Sequence, residues 1–246
     1  MNKPLDGKIA LVTGASRGIG RATALKLANT GAHVVALART TGGLEELDDE
    51  IKKLGGTATL VPADLRDFDA FDRLGASLHQ RYGRLDVLVG NAGQLGTLSP
   101  LPHIEPTEWD EVMAVNVTAN WRLIRALDPL LRAAEAGRAV FVTSNITYKA
   151  RAYWGAYAVS KIALELLART YAAETAETRV KVNLFNPGPI RTVMRAKAMP
   201  GEDPMTLDTP EQAAEKLIQL CMPACDVSGM VYDYPQKKFL QFQPPL

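Results

Sequence analysis

The chain has 246 residues, 47% of them hydrophobic and 22% charged, enough for one large α/β domain of ordinary globular composition. With 28 basic and 27 acidic side chains the formal net charge is +1, so nothing recommends nucleic acid or an anionic membrane as a partner. No apolar run approaches a membrane span, and Met1 to Asp6 lacks a signal-peptide pattern, so a cytoplasmic protein is expected.

Lys8-Ile9-Ala10-Leu11-Val12 is a short apolar run with β-branched residues and reads as a buried strand. Thr13-Gly14-Ala15-Ser16-Arg17-Gly18-Ile19-Gly20 follows, and residues 21–29 then carry Ala22, Leu25, Leu27 and Ala28 in a helical pattern ending before Gly31. Strand, glycine loop and helix form the setting of a dinucleotide site. Glycines let the backbone close on a pyrophosphate, and the helix N-terminus offers N–H donors and a favourable dipole. The spacing is G-x-x-x-G-x-G rather than the common G-x-G-x-x-G, and a glycine turn without a ligand is the plain alternative.

Residues 32–38 read as the second strand of a βαβ unit. An NAD site usually has an acidic residue at the end of that strand, on the ribose 2′-hydroxyl. Here Ala38 and Arg39 occupy the position, Thr40 and Thr41 follow, and Arg17 sits in the glycine loop. Two guanidinium groups and no carboxylate suit a 2′-phosphate, hence NADP(H), with two solvated surface arginines as the alternative.

Further strands are expected at 57–62, 85–89, 139–143, 180–185 and 229–232. Helices are expected at 43–54, 68–82, 107–131 (broken), 154–176 and 210–221. The alternation predicts an α/β fold: a single Rossmann-type, doubly wound parallel sheet of about seven strands with helices on both faces. No linker is visible, so residues 1–246 read as one domain. The weakly patterned stretch 195–207 follows a strand end and reads as a mobile substrate flap. Cys221 and Cys225 have no histidine nearby and read as reduced thiols; His33, His79 and His103 are scattered, and no metal site is expected.

Tyr157 and Lys161 stand four residues apart on an expected helix, which places them on one face, and Ser144 lies thirteen residues before the tyrosine. A neighbouring ammonium favours the phenolate and lowers the phenol's pKa from its usual value of about 10. Such a phenol can exchange a proton with a carbonyl or alcohol oxygen that Ser144 also holds. By itself the Tyr-x-x-x-Lys pair also fits a solvated helix face; the glycine loop at the other end of the chain alters that balance.

With Thr13-Gly14-x-x-x-Gly18-x-Gly20 and Ser144, Tyr157 and Lys161 in one chain, the sequence resembles the short-chain dehydrogenase/reductase superfamily over roughly residues 5–232. Within it, Leu95-Gly96, Ala150 to Tyr157, and Arg191 to Ala196 through Glu202-Asp203-Pro204 resemble the YciK-like bacterial oxidoreductases. The resemblance implies four catalytic residues: Ser144, Tyr157, Lys161 and Asn116, the last holding a water in a relay to the lysine. It implies that Asp64-Leu65 meets the adenine ring and that Asn91-Ala92-Gly93 turns beside the cofactor. It also implies that Pro187-Gly188 packs on the nicotinamide, with Ile190 in the same segment and Thr192 near the carboxamide. Gly14, Ser16, Arg17, Gly18, Ile19, Gly20, Arg39, Thr40, Tyr157 and Lys161 complete the implied cofactor set. Two departures stand out: the usual paired serine is Ser144-Asn145, and the usual Asp-Gly-Gly is absent after Gly229, leaving an atypical tail at 233–246.

The implied activity is an NADPH-dependent carbonyl reductase, reversible as an alcohol dehydrogenase, acting on a small carbonyl or alcohol and assembled as a homo-oligomer, dimer or tetramer. A 3-oxoacyl-[acyl-carrier-protein] reductase shares every motif, and a non-catalytic NADP(H)-binding regulator is the rival from another class. The substrate pocket is expected between residues 94–98, 146–154 and 193–207.

Overall fold

The structure is a computed structural model that describes residues 3–242. Eight strands make one sheet in the order β3-β2-β1-β4-β5-β6-β7-β8. They are β1 Ile9–Thr13, β2 His33–Ala38, β3 Thr57–Pro62, β4 Val87–Gly90, β5 Arg138–Val142, β6 Lys181–Asn186, β7 Val231–Asp233 and β8 Lys238–Leu240. The first seven run parallel and β8 returns antiparallel to β7. Every residue of β1, β4 and β5 is buried, as a sheet covered on both faces requires.

Side-chain alternation along β1 separates the two faces. Ile9 and Leu11 join the core with Phe71, Leu74, Leu123, Leu127, Leu164 and Ala168. Those residues belong to α3 Asp69–Tyr82, α5 Ala119–Ala133 and α6 Gly155–Glu174. Ala10 and Val12 join the opposite core with Leu27, Leu44, Leu47, Ile51, Ala213 and Leu217. These come from α1 Gly18–Asn29, α2 Thr41–Lys53 and α8 Pro210–Leu220.

The doubly wound fold and its helices appear where the sequence places them, with boundaries shifted by a few residues. The 107–131 helix is broken as expected: α4 Pro106–Met113 passes into a π-helical segment, Ala114–Thr118, before α5 resumes. Two differences have local causes. The eighth strand lies in the atypical tail; only three residues long, it is set by pairing with β7 rather than by its own pattern. The 195–207 stretch is more regular than its pattern suggests. It contains most of α7 Val193–Ala198 and a 3₁₀ turn at Pro204–Thr206, and a 2.6 Å Arg195–Glu202 bond ties α7 to the loop that follows it. Of the tail, residues 243–246 lie outside the described residues.

Candidate active site

Strand order reverses between β1 and β4, and the loops at the carboxyl ends of the strands open a crevice there. Gly14 and Gly18 in the loop after β1 have φ of +66° and +58°, a region glycine enters without strain. The loop closes on Asn91, whose Nδ2 donates to the Thr13 carbonyl at 2.9 Å. A Cβ at Gly14 would lie 2.9 Å from that Nδ2, and one at Gly20 would collide with the Gly14 carbonyl and the same amide. Thr13, which the sequence reading quotes without assigning a role, accepts from the N–H groups of Asn91 and Ala92 at 3.1 and 3.0 Å. Ser16 sits under Gly43 and Ile19 is partly buried, while Arg17 is the exposed residue preceding α1.

Arg39 and Thr40 are exposed at the end of β2. Arg39 lies near enough to Asp64 to help lower the carboxyl's pKa, though Arg66 is the larger cause. Arg66 bonds Asp64 at 2.8 Å and reaches Glu111 on α4, also at 2.8 Å; Glu111 in turn accepts from Gln94 at 3.1 Å. Leu65 is buried behind Asp64.

Ser144, Tyr157 and Lys161 come together at the end of β5 and the first turns of α6. The Ser144 hydroxyl lies near enough to the Tyr157 phenol to help lower its pKa, and the phenol ring faces Lys161 Nζ at 5.7 Å from its centroid. Lys161 Nζ donates to the Val142 carbonyl at 2.8 Å. The expected direction of the tyrosine's pKa is reversed. Burial pushes the phenol up to about 12, against the hydrogen bond from Ser144. Burial also pushes the Lys161 ammonium down to about 8, with the charge of Glu165 opposing. Sequence spacing shows the neighbour but not the desolvation, and here desolvation is the larger effect.

Asn116 lies in the π-helical turn and is fully buried. Its Oδ1 accepts from Gln94 N at 2.8 Å, and its Nδ2 faces Gln94 O at 2.9 Å and Ser160 Oγ at 2.8 Å. Ser160 donates to the Tyr157 carbonyl at 2.8 Å, so the amide braces the loop after β4 against α6. A Cβ at Gly93 would sit 3.5 Å from both Asn116 Oδ1 and Lys161 Nζ, so the missing side chain keeps the approach to the ammonium open. Glu165 escaped the sequence reading although it repeats the four-residue step from Lys161. It is buried, accepts from Thr143 and Thr147 at 2.8 and 2.9 Å on either side of Ser144, and burial pushes its carboxyl pKa up.

On the far wall Pro187 is buried and Gly188 has φ of +65°. Ile190 is buried and bridges to Asp208. Thr192 caps α7, and a Cβ at Gly18 would lie 3.5 Å from its methyl, so this wall meets the glycine loop. Leu95, Ile146, Tyr157 and Ala198 form a buried apolar cluster, with Leu98, Trp154, Met194 and Met199 packed against it. Residues from the three expected pocket segments therefore converge on the phenol. A cavity of about 500 Å³ is lined within the 191–207 segment, by Thr192, Arg195, Met199, Glu202 and Leu207 among others. Among the described residues no three His, Cys, Asp or Glu side chains gather as a metal site, and no helix is long and apolar enough to cross a membrane.

The family described as short chain dehydrogenase matches residues 8–203. The oxidoreductase YciK of Escherichia coli is 41% identical over 209 residues, covering 84% of this chain and 82% of its own. An NAD-dependent oxidoreductase of Mycobacterium tuberculosis is 37% identical over 204 residues, covering 77% and 74%. The crystal structure of a short chain dehydrogenase from Escherichia coli CFT073, complexed with NADPH, superposes with a TM-score of 0.88 at 38% identity, covering 95% of this chain and 98% of that one.

Proposed function

The chain belongs to the short chain dehydrogenase family, and we propose that within it the protein is an NADP(H)-dependent carbonyl reductase, reversible as an alcohol dehydrogenase. One observation carries this reading: a buried phenol lies beside Ser144 and a buried ammonium, within an apolar cluster. The residues present suit the dinucleotide: a closed glycine loop, the open approach at Gly93, and Arg17 and Arg39 exposed beside the loop. The NADPH held by the Escherichia coli CFT073 relative supports the phosphorylated cofactor, although the Mycobacterium relative is named for NAD. Arg39, in place of a carboxylate at the end of β2, supports NADP(H).

When bound, the nicotinamide cofactor supplies or accepts the hydride. Ser144 and Tyr157 hold the substrate oxygen by their hydroxyls and orient its carbon. Tyr157 donates its proton as negative charge grows on that oxygen, in a site whose burial strengthens the bond. Lys161, with a pKa near 8, can both hold a proton and release it at working pH, and its positive charge stabilises the phenolate left behind. The Asn116 amide is committed to Gln94 and Ser160, but its carbonyl, which accepts from Asn120 at 2.9 Å, has a second lone pair for the water of the relay. Residues 193–207 close over the pocket and exclude water from the transfer. The homo-oligomer belongs to the same proposal: Val159, Ile162 and Leu166 leave an exposed apolar stripe on α6 that a second copy would cover.

The test is NADPH consumption across aldehydes, ketones, quinones and 3-oxoacyl thioesters. Turnover of small carbonyls supports the reading. Turnover confined to acyl-carrier thioesters would make the protein a 3-oxoacyl-[acyl-carrier-protein] reductase, and tight NADPH binding with no turnover of any class would favour the regulator.

A further inference from the structure

The tail that departs from the family's Asp-Gly-Gly ending does not hang free. Asp233, the last residue of β7, is 3% exposed and Asn186, the last residue of β6, is 0% exposed. The two sit opposite each other in the sheet register. Asn186 Nδ2 donates to Asp233 Oδ2 at 2.8 Å, and Asn186 Oδ1 accepts from Gly188 N at 3.1 Å. The other carboxylate oxygen, Asp233 Oδ1, accepts from Gln236 N at 3.0 Å. Tyr234 N donates to the Asn186 carbonyl at 2.9 Å. The Pro235 ring lies against Gly188, where a Cβ would overlap Pro235 Cγ. Tyr234 donates from its hydroxyl to Asp208 at 2.8 Å, and the Asp208 carbonyl accepts from Arg191 N at 2.9 Å. Asp233 Oδ2, Tyr234 N, the Tyr234 hydroxyl and the Pro235 ring therefore all end on the 186–191 segment or on its partner Asp208.

Gly188 holds a left-handed conformation, φ +65°, and its N–H is fixed only through the relay Gly188–Asn186–Asp233. A carboxylate at 233 is a pure acceptor and obliges the Asn186 amide to face it with its N–H₂ side. That choice leaves Oδ1 toward Gly188. Without the carboxylate the amide can flip, and the Gly188 N–H would then face another donor.

We propose that Asn186 and Asp233 are positioning residues for the nicotinamide: the C-terminal hairpin β7–β8 sets the Pro187-Gly188 turn against which the ring packs. The inference rests on the cofactor reading above and assigns the tail a part in it. Its signature is selective, because only the nicotinamide half of the cofactor meets this turn.

Calorimetric titration with NADPH and with adenosine 2′,5′-bisphosphate separates the two halves. Asn186→Asp sets two carboxylates face to face. It is expected to weaken NADPH by about tenfold or more, the effect of losing a charge-assisted hydrogen bond, while leaving the bisphosphate unchanged. The exchanged pair Asn186→Asp/Asp233→Asn can restore all three hydrogen bonds, with donor and acceptor reversed only between the two side chains, and should return NADPH affinity to within about threefold of the unmodified protein. Asp233→Asn alone is the milder variant if the first does not fold, with a selective loss of about threefold. Equal weakening of both ligands, no weakening in either single variant, or an exchanged pair no better than the single variants would overturn the proposal. An unmodified protein that binds neither ligand would instead overturn the cofactor reading, and this inference with it.

Discussion

The two ends of the crevice are built by different means. At the Tyr157 end Lys161, Asn116 and Ser160 are almost fully buried, and their polar atoms are bound to protein partners. At the glycine-loop end Arg17, Arg39 and Thr40 stand exposed. The first arrangement fixes geometry before any ligand arrives, as proton transfer demands. The second offers charge on long, solvated side chains, which can select a phosphate but contributes little rigidity. Chemistry should therefore be hard to alter without loss, and cofactor choice comparatively easy.

Tyr157→Phe tests the rigid end and carries the largest expected effect. It keeps the ring against Trp154, 6.1 Å away between centroids, and removes only the acid. Turnover should fall by at least about a hundredfold with NADPH affinity nearly unchanged. A variant that keeps more than about a tenth of the unmodified turnover would show that the proton comes from elsewhere.

The exposed end is tested by replacing Ala38 with Asp and Arg39 with a neutral residue. The unmodified protein should prefer NADPH to NADH by roughly ten- to a hundredfold, the worth of one or two charge-assisted bonds. The double variant should erase or invert that preference, measured as the ratio of the two dissociation constants. Equal affinities in the unmodified protein would contradict the phosphate assignment.

Lys161 links the rigid end to stability. Its folded pKa, about 8, lies below the usual lysine value of 10.5, so the native state favours the neutral amine. Below pH 8 both states are protonated and the native state bears the whole desolvation penalty, about 3 kcal/mol. Between pH 8 and 10.5 the folded protein has lost a proton that the unfolded chain retains, so stability rises with pH and the penalty disappears. Lys161→Met removes the charge and also the bond to the Val142 carbonyl. A net gain of about 1–2 kcal/mol, or a few degrees in Tm, is expected at pH 7 and should shrink toward pH 10.5. A Tm difference that stays constant across that range would mean that the lysine binds its proton equally in the folded and unfolded chain and stays charged in the folded protein.

The smallest expected effect concerns residues 193–207, whose backbone should gain hydrogen-exchange protection when NADPH or substrate binds. The helix α7 and the Arg195–Glu202 bond already order part of the segment, so the change should concentrate beyond residue 198. Unchanged exchange at saturating ligand would reduce the segment to a connector.

These contrasts also mark where sequence reading succeeds. Ser144, Tyr157 and Lys161 are legible because a helix converts spacing into a shared face, and the glycine loop because strand, turn and helix are contiguous. Asn186 and Asp233 are 47 residues apart and meet only through β6–β7 register, which no local pattern announces. The direction of the Tyr157 pKa was missed for a related reason: burial is decided by helices and strands far away in sequence. Glu165 was within reach, since the step from Tyr157 to Lys161 repeats once more.

Tyr157, Lys161 and Glu165 at successive four-residue steps occupy less than half of one 20-residue helix, α6, whose Leu164 and Ala168 lie in the same core as Val182 and Leu184 of β6. These three side chains therefore cannot come apart piecemeal: α6 either docks with all three or undocks with all three. Partial opening of the molecule should leave a population that is fully competent or fully silent, never half active. On heating, initial rate should follow the fraction of docked α6 as a single sigmoid, while loosening of the exposed Arg17 and Arg39 region appears only as weaker cofactor affinity.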